Sequence, residues 1–154
     1  MTDVASLRPA LAVAIAAVAV VPILASARRP NVREGWTVLA AVSAFAVVAS
    51  MLPAAISGTT YVSSLGTLVD GVERSLQADP LGLLFGTVAS LLWLITSFYS
   101  VGYMRGLSEH AQTRYFAAFA ASVAAALGVA FAANLVTLFV FYELLTVATY
   151  PLVT

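Results

Sequence analysis

Long apolar blocks alternate with short charged segments along this chain. Residues 9–27, 35–56 and 80–104 carry no charged side chain, and each block is bounded by a polar segment. A helix rises about 1.5 Å per residue, so about 20 apolar residues cross a hydrocarbon core of about 30 Å. The pattern therefore predicts three transmembrane helices, at about 8–27, 35–56 and 80–104.

The last apolar block, from 115 to 154, needs a turn inside it. As a single helix it would be about 60 Å long, twice the thickness of the hydrocarbon core. Asn134 is the best candidate for the break, because asparagine suits helix ends and turns. We therefore predict a fourth span at about 115–133 and a fifth at about 135–153.

The longest polar segment, 57–79, is predicted to be an extramembrane loop with its own structure. Asp70 and Gly71 separate two short segments, 65–69 and 72–76. Asp-Gly is a strong hairpin signal because both residues tolerate a positive φ. The pattern favours a small β-hairpin over an irregular loop. Asp79 and Pro80 then mark a helix start, with aspartate as the N-cap and proline where no N–H is needed.

Composition agrees with a membrane protein and excludes several other classes. Of the 154 residues, 62% are hydrophobic and 9% are charged, whereas soluble domains are about half apolar and about a quarter charged. Zero net charge without a basic patch argues against nucleic-acid binding. With no cysteine and one histidine, we expect no disulfide, no metal site and no cofactor. The predicted fold class is an all-α polytopic membrane helix bundle with about five spans and a small extramembrane β-hairpin.

The arginine distribution predicts that the N-terminus faces outside. With that orientation the inner loops contain most of the arginines, as the positive-inside rule requires: Arg28, Arg29, Arg33, Arg105 and Arg114. The small residues at 25–27 also resemble a signal-peptide cleavage site. However, the arginines follow the first apolar run instead of preceding it, which favours an uncleaved span.

Glu143 is the only ionisable carboxyl within a predicted span. It lies about 12 Å along the fifth helix, near the bilayer midplane, where a charge costs about 2.5–3.5 kcal/mol on insertion scales. Such a group is by default part of a proton or ion pathway, although a neutral carboxyl in interhelical hydrogen bonds is the alternative. Thr146 and Tyr150 follow on the same helical face and are candidate supporting groups. His110 is predicted to lie in a loop as a solvated or capping residue rather than as a relay member.

Four motifs resemble one protein family. They are DPLGLLF at 79–85, SFYSVGYM at 97–104, NLVTLF at 134–139 and FYELL at 141–145. Together they resemble the N-terminal part of the proton-translocating, antiporter-like membrane subunits. That family includes the D-type subunit of Mrp-type cation/proton antiporters and the large membrane subunits of complex I (NADH:quinone oxidoreductase). The segments 102–110 and 142–154 look most like the D-type branch, while residues 1–78 match mainly in hydropathy.

The resemblance implies that residues 1–154 are the N-terminal part of one antiporter-like domain with about fourteen helices. It implies that Glu143 is the family's fifth-helix glutamate, which pairs with a lysine on the seventh helix. The implied function is a proton-conducting subunit of a monovalent cation/proton antiporter in a bacterial inner membrane, with other membrane subunits as partners. A proton-pumping subunit of complex I, or of a related hydrogenase or bicarbonate-uptake complex, is the alternative.

Two other classes of function compete with transport. The chain has no cofactor motif, so an enzyme label such as NADH dehydrogenase (quinone) would come from its complex and not from a redox site of its own. A purely structural helix bundle would have no need for a carboxyl at the midplane, and Glu143 therefore favours the transporter.

Overall fold

The computed structural model describes residues 2–69, 72–106 and 111–153. A short strand, β1 (Thr2–Ala5), precedes α1 (Arg8–Ala25) and α2 (Pro30–Ala49). A short helix, α3 (Leu52–Ser57), leads into strands β2 (Thr59–Val69) and β3 (Val72–Ala78). Three long helices follow: α4 (Pro80–Gly106), α5 (Gln112–Ala130) and α6 (Leu135–Val153). Five helical segments, with α2 and α3 counted as one, are long and apolar enough to cross a membrane. The predicted fold class is therefore confirmed.

Helix α5 lies at the centre of the bundle, and α6 lies at its edge. Helix α5 packs against α1, α4 and α6, while α2 packs against α1 and α4. Of the α6 residues only Thr137 is buried. Most fully buried positions of α1, α2 and α5 are alanines, which allow close helix approach: Ala12, Ala16, Ala41, Ala44 and Ala120. Trp93, in the middle of α4, is 1% exposed and therefore packs within the bundle.

Side-chain caps start two of the long helices where the sequence predicts them. The N–H of Gly82 donates to Asp79 Oδ1 at 2.7 Å, which caps α4. The N–H of Thr137 donates to Asn134 Oδ1 at 2.8 Å, which caps α6. Because α5 ends at Ala130, the prediction of a turn at Asn134 is confirmed.

A three-stranded sheet covers one end of the bundle, which we call the sheet end. Strands β2 and β3 are antiparallel, from Tyr61 opposite Ala78 to Val69 opposite Val72, and this pairing confirms the predicted hairpin. The predicted Asp70-Gly71 turn lies outside the described residues. The register shifts between Ser64 and Thr67, where Gly66 takes a φ of 93° that a glycine adopts without strain.

The sheet also contains a strand that the sequence pattern did not predict. Strand β1 pairs in parallel with β2, with Thr2 opposite Thr59. The loop between α5 and α6 joins the other side of the sheet, since the N–H of Gln77 donates to the Phe131 carbonyl at 2.6 Å. The sheet thus ties the N-terminus and the α5–α6 turn to one end of the bundle. The loop after α1, with Arg28 and Arg29, lies at the opposite end, which we call the arginine-rich end.

Two glycine positions allow close contact between neighbouring elements. A Cβ on Gly86 would lie 2.7 Å from the ring of Phe131. The glycine at this position of α4 therefore leaves room for the Phe131 side chain. A Cβ on Gly128 would overlap the ring of Phe141. The side chain of Phe141 therefore fits against the bare backbone of α5, and this contact sets the spacing between α5 and α6.

Candidate functional site: an exposed carboxyl and a buried charge cluster

Glu143 lies at the middle of α6, on the face that the rest of the bundle leaves open. It is the ninth residue from Leu135, about 12 Å from the start of a helix about 28 Å long. Phe141, two residues earlier, packs toward α5, and two residues turn the helix by about 200°. Glu143 therefore points away from α5 and is exposed.

The exposed face around Glu143 is aromatic and aliphatic. Its larger members are between 56% and 70% exposed: Phe139, Tyr142, Val147 and Tyr150. A face of this kind, with a carboxyl at its centre, is suited to a protein neighbour or a hydrated cavity, because hydrocarbon alone would not solvate the charge. Within the described residues, Glu143 forms no ion pair.

The two predicted supporting residues lie on the same side of α6 as Glu143. Thr146 is exposed, and its hydroxyl donates to the Tyr142 carbonyl at 3.1 Å. Its oxygen can still accept a hydrogen bond. Tyr150 is 69% exposed. The structure thus places Glu143, Thr146 and Tyr150 along one face, while His110 lies outside the described residues.

A second group of charges lies at the arginine-rich end, and two of its three members are buried. Arg33 and Glu34, in the first turns of α2, are each 4% exposed. Arg105, at the end of α4, donates from Nε to Glu34 Oε1 at 3.1 Å and pairs through Nη2 with Oε2. Arg33 Nη2 lies 3.5 Å from Glu34 Oε1. We call Arg33, Glu34 and Arg105 the charge cluster.

The charge cluster also reaches α5. Arg33 donates from Nη1 to Thr113 Oγ1 at 2.9 Å and from Nη2 to Gln112 Oε1 at 2.7 Å. Its guanidinium lies 5.3 Å from the centre of the Phe116 ring, within the range of a cation–π contact. One carboxylate and two guanidinium groups therefore connect α2, α4 and α5 at a single point.

The sequence pattern did not predict this cluster, because it placed Arg33 and Arg105 in inner loops. Helix α2 begins at Pro30, upstream of the membrane span expected from 35, so Arg33 and Glu34 are helical. One signal was present: the only acidic residue of the 28–34 segment lies beside three arginines. Hydropathy alone could not show that the segment folds against α4 and α5.

The carboxylates of Glu34 and Glu143 have different surroundings. Both oxygens of Glu34 are engaged by guanidinium groups, and its side chain is 5% exposed. Such a carboxylate stabilises a particular packing of helices. Glu143 forms no ion pair within the described residues and lies on the open face of α6, so it is accessible to a neighbour that packs there.

Comparison with known proteins gives one informative similarity. No protein-family model matches the chain. A Na(+)/H(+) antiporter subunit A1 of Staphylococcus aureus is 28% identical over 126 residues, which cover 80% of this chain and 15% of that protein. The chain thus spans less than a fifth of the length of this relative. Together with the five apolar helices, this weak similarity to an antiporter subunit supports an integral membrane protein.

Proposed function

We propose that this chain belongs to a proton-conducting membrane subunit of a multi-subunit monovalent cation/proton antiporter, with Glu143 as a proton relay. The observation that carries the proposal is the position of Glu143, at mid-depth on the open face of α6. A carboxyl at this depth is costly unless protein or water receives it, so its presence favours a role in ion movement.

The proposal includes a neighbour for α6 that lies outside the described residues. Within the described residues no arginine forms an ion pair with Glu143: Arg33 and Arg105 are held by Glu34 at the end of the bundle, and Arg114 is on α5, from which Glu143 points away. A cation that pairs with Glu143 would therefore come from further helices of the same protein or from another membrane subunit. The proposed setting is a bacterial inner membrane, with the sheet end outside.

The proposal also specifies the type of antiporter subunit. The motifs at 102–110 and 142–154 favour the D-type subunit, whereas the relative in Staphylococcus aureus is a subunit A1. The proposed relay is the same for either type. We favour the D type on the basis of those two motifs. The sequence of the complete reading frame distinguishes the two.

The test uses the protein expressed from its complete reading frame, with its partner subunits, in inverted membrane vesicles. Glu143→Gln preserves the shape of the side chain but removes its titration, whereas Glu143→Asp keeps the titration and shortens the reach. A pH-sensitive dye reports the proton movement that follows addition of sodium or potassium. We expect Glu143→Gln to abolish cation-dependent proton movement and Glu143→Asp to retain part of it.

A matched control separates transport from assembly. Tyr142→Phe changes an exposed neighbour on the same helix and should leave transport intact. The amount of each variant in the purified complex is measured in parallel. Normal proton movement by an assembled Glu143→Gln complex would refute the relay.

A further inference from the structure

A groove of about 400 Å³ runs between α1, α5 and α6 near the arginine-rich end. Its walls are mostly small or aliphatic side chains, among them Val20 and Leu24 of α1, Ala117 and Ala121 of α5, and Ala148 of α6. The groove extends along α5 from Thr113 to Ala121, a length of about 12 Å. It is therefore an apolar channel along the helix axes, open on one side.

Arg114 lines the groove where α5 begins, and it is exposed. No described residue forms an ion pair or a hydrogen bond with its guanidinium. The same holds for Arg28 and Arg29, which are exposed four and five residues after Leu24. Of the described arginines at this end, Arg33 and Arg105 are neutralised in part by Glu34, while these three are not.

We propose that this groove binds one acyl chain of an anionic phospholipid, whose headgroup phosphate pairs with Arg114. Basic pockets between transmembrane helices are typical sites for anionic headgroups, and Arg28 and Arg29 add positive charge at the same end. The apolar walls suit the acyl chain, while the unpaired arginines suit the phosphate. The inference does not depend on the proposed transport function.

The dimensions of the groove favour a lipid over a protein helix. A volume of 400 Å³ spread over about 12 Å leaves a cross-section of about 30 Å². A helix about 10 Å in diameter has a cross-section of about 80 Å², so less than half of it would lie inside the groove. An extended acyl chain is the slimmer occupant, and it has no backbone polar groups to satisfy inside the membrane.

A second apolar groove provides an internal comparison. It lies between α1 and α2, has a volume of about 410 Å³, and is lined by Leu11, Ala14 and Trp36 among others. No arginine lines it. Lipid that occupies this groove should therefore show no preference for an anionic headgroup.

The test is native mass spectrometry of the protein, expressed from its complete reading frame and exposed to equal amounts of phosphatidylglycerol and phosphatidylcholine with identical acyl chains. We expect the wild-type protein to retain phosphatidylglycerol in excess. Arg114→Gln should reduce that excess about five-fold, and Arg114→Lys should keep most of it. Ala121→Leu, which fills the groove, should remove one retained phosphatidylglycerol.

Matched variants and the wild type keep the test decisive. Ala14→Leu fills the comparison groove, and Arg8→Gln removes an arginine at the sheet end; neither should alter headgroup selectivity. If Arg114→Gln fails to fold, added salt provides the same test on the wild type, because screening should reduce the excess. Equal retention of the two lipids, or an excess that survives both salt and Arg114→Gln, would overturn the proposal. So would a groove that retains no lipid because another protein segment covers it.

Discussion

Neutralising Glu34 tests whether the charge cluster holds α2, α4 and α5 together. Glu34→Gln keeps the size of the side chain but leaves the buried guanidinium of Arg33 without its carboxylate. Breaking a buried ion pair from one side typically costs about 3–5 kcal/mol, because a buried charge loses its counter-ion. Arg33 retains its hydrogen bonds to Thr113 and Gln112. We therefore expect Glu34→Gln to lower the free energy of unfolding by about 3 kcal/mol, the lower end of that range.

The measurement is reversible unfolding in mixed micelles, with increasing SDS as the denaturant and tryptophan fluorescence as the signal. Trp93 is a suitable reporter because it is buried in α4, one of the three helices that the cluster joins. The free energy of unfolding should fall by about 3 kcal/mol for Glu34→Gln relative to the wild type.

Two further variants distinguish the cluster from a general effect of the substitution. Arg105→Gln should cost much less than Glu34→Gln, since half of the Arg105 side chain is exposed and can be hydrated. Adding Arg33→Met to Glu34→Gln should recover at least about 1 kcal/mol, because the unpaired buried charge is removed. A Glu34→Gln variant within about 1 kcal/mol of the wild type would refute the reasoning, as would an equal loss for Arg105→Gln.

Three other predictions concern packing, capping and topology. Gly128→Val should lower the free energy of unfolding by about 1–3 kcal/mol by overlap with the Phe141 ring, and Phe141→Ala should relieve that overlap in the double variant. Asn134→Ala should cost about 1 kcal/mol by removing the cap of α6, measured by the same SDS titration. Because the chain contains no cysteine, single thiols can be labelled cleanly: Asn31→Cys should react from the inside and Gly71→Cys from the outside.

Each of these predictions has its own control. Gly102→Val should have little steric effect, since no atom lies within 4 Å of a Cβ built there. Asn134→Asp should preserve the cap, because aspartate also accepts from the first-turn N–H groups. The reverse labelling pattern, with position 71 reactive from the inside, would invert the proposed topology.

The sequence by itself was sufficient for the number of long helices and for the caps that start α4 and α6. A run of apolar residues determines locally whether a segment enters a bilayer, so the number of spans could be counted before any contact was known. Caps are local as well: Asp79 and Asn134 each accept from an N–H three residues later. The hairpin between β2 and β3 is also a pairing between adjacent segments, and its turn chemistry marked it.

Only the tertiary structure decided which polar residues are buried and which face is open. Glu34 and Arg105 are 71 residues apart, and nothing in the local pattern of either segment indicates that they meet. The pairing of β1 with β2 is likewise between distant segments. The position of Glu143 halfway along α6 follows from helix geometry, but its exposure depends on which neighbours pack against α6. Burial and ion pairing depend on contacts between distant parts of the chain, and for that reason hydropathy predicted the helices but not the charge cluster.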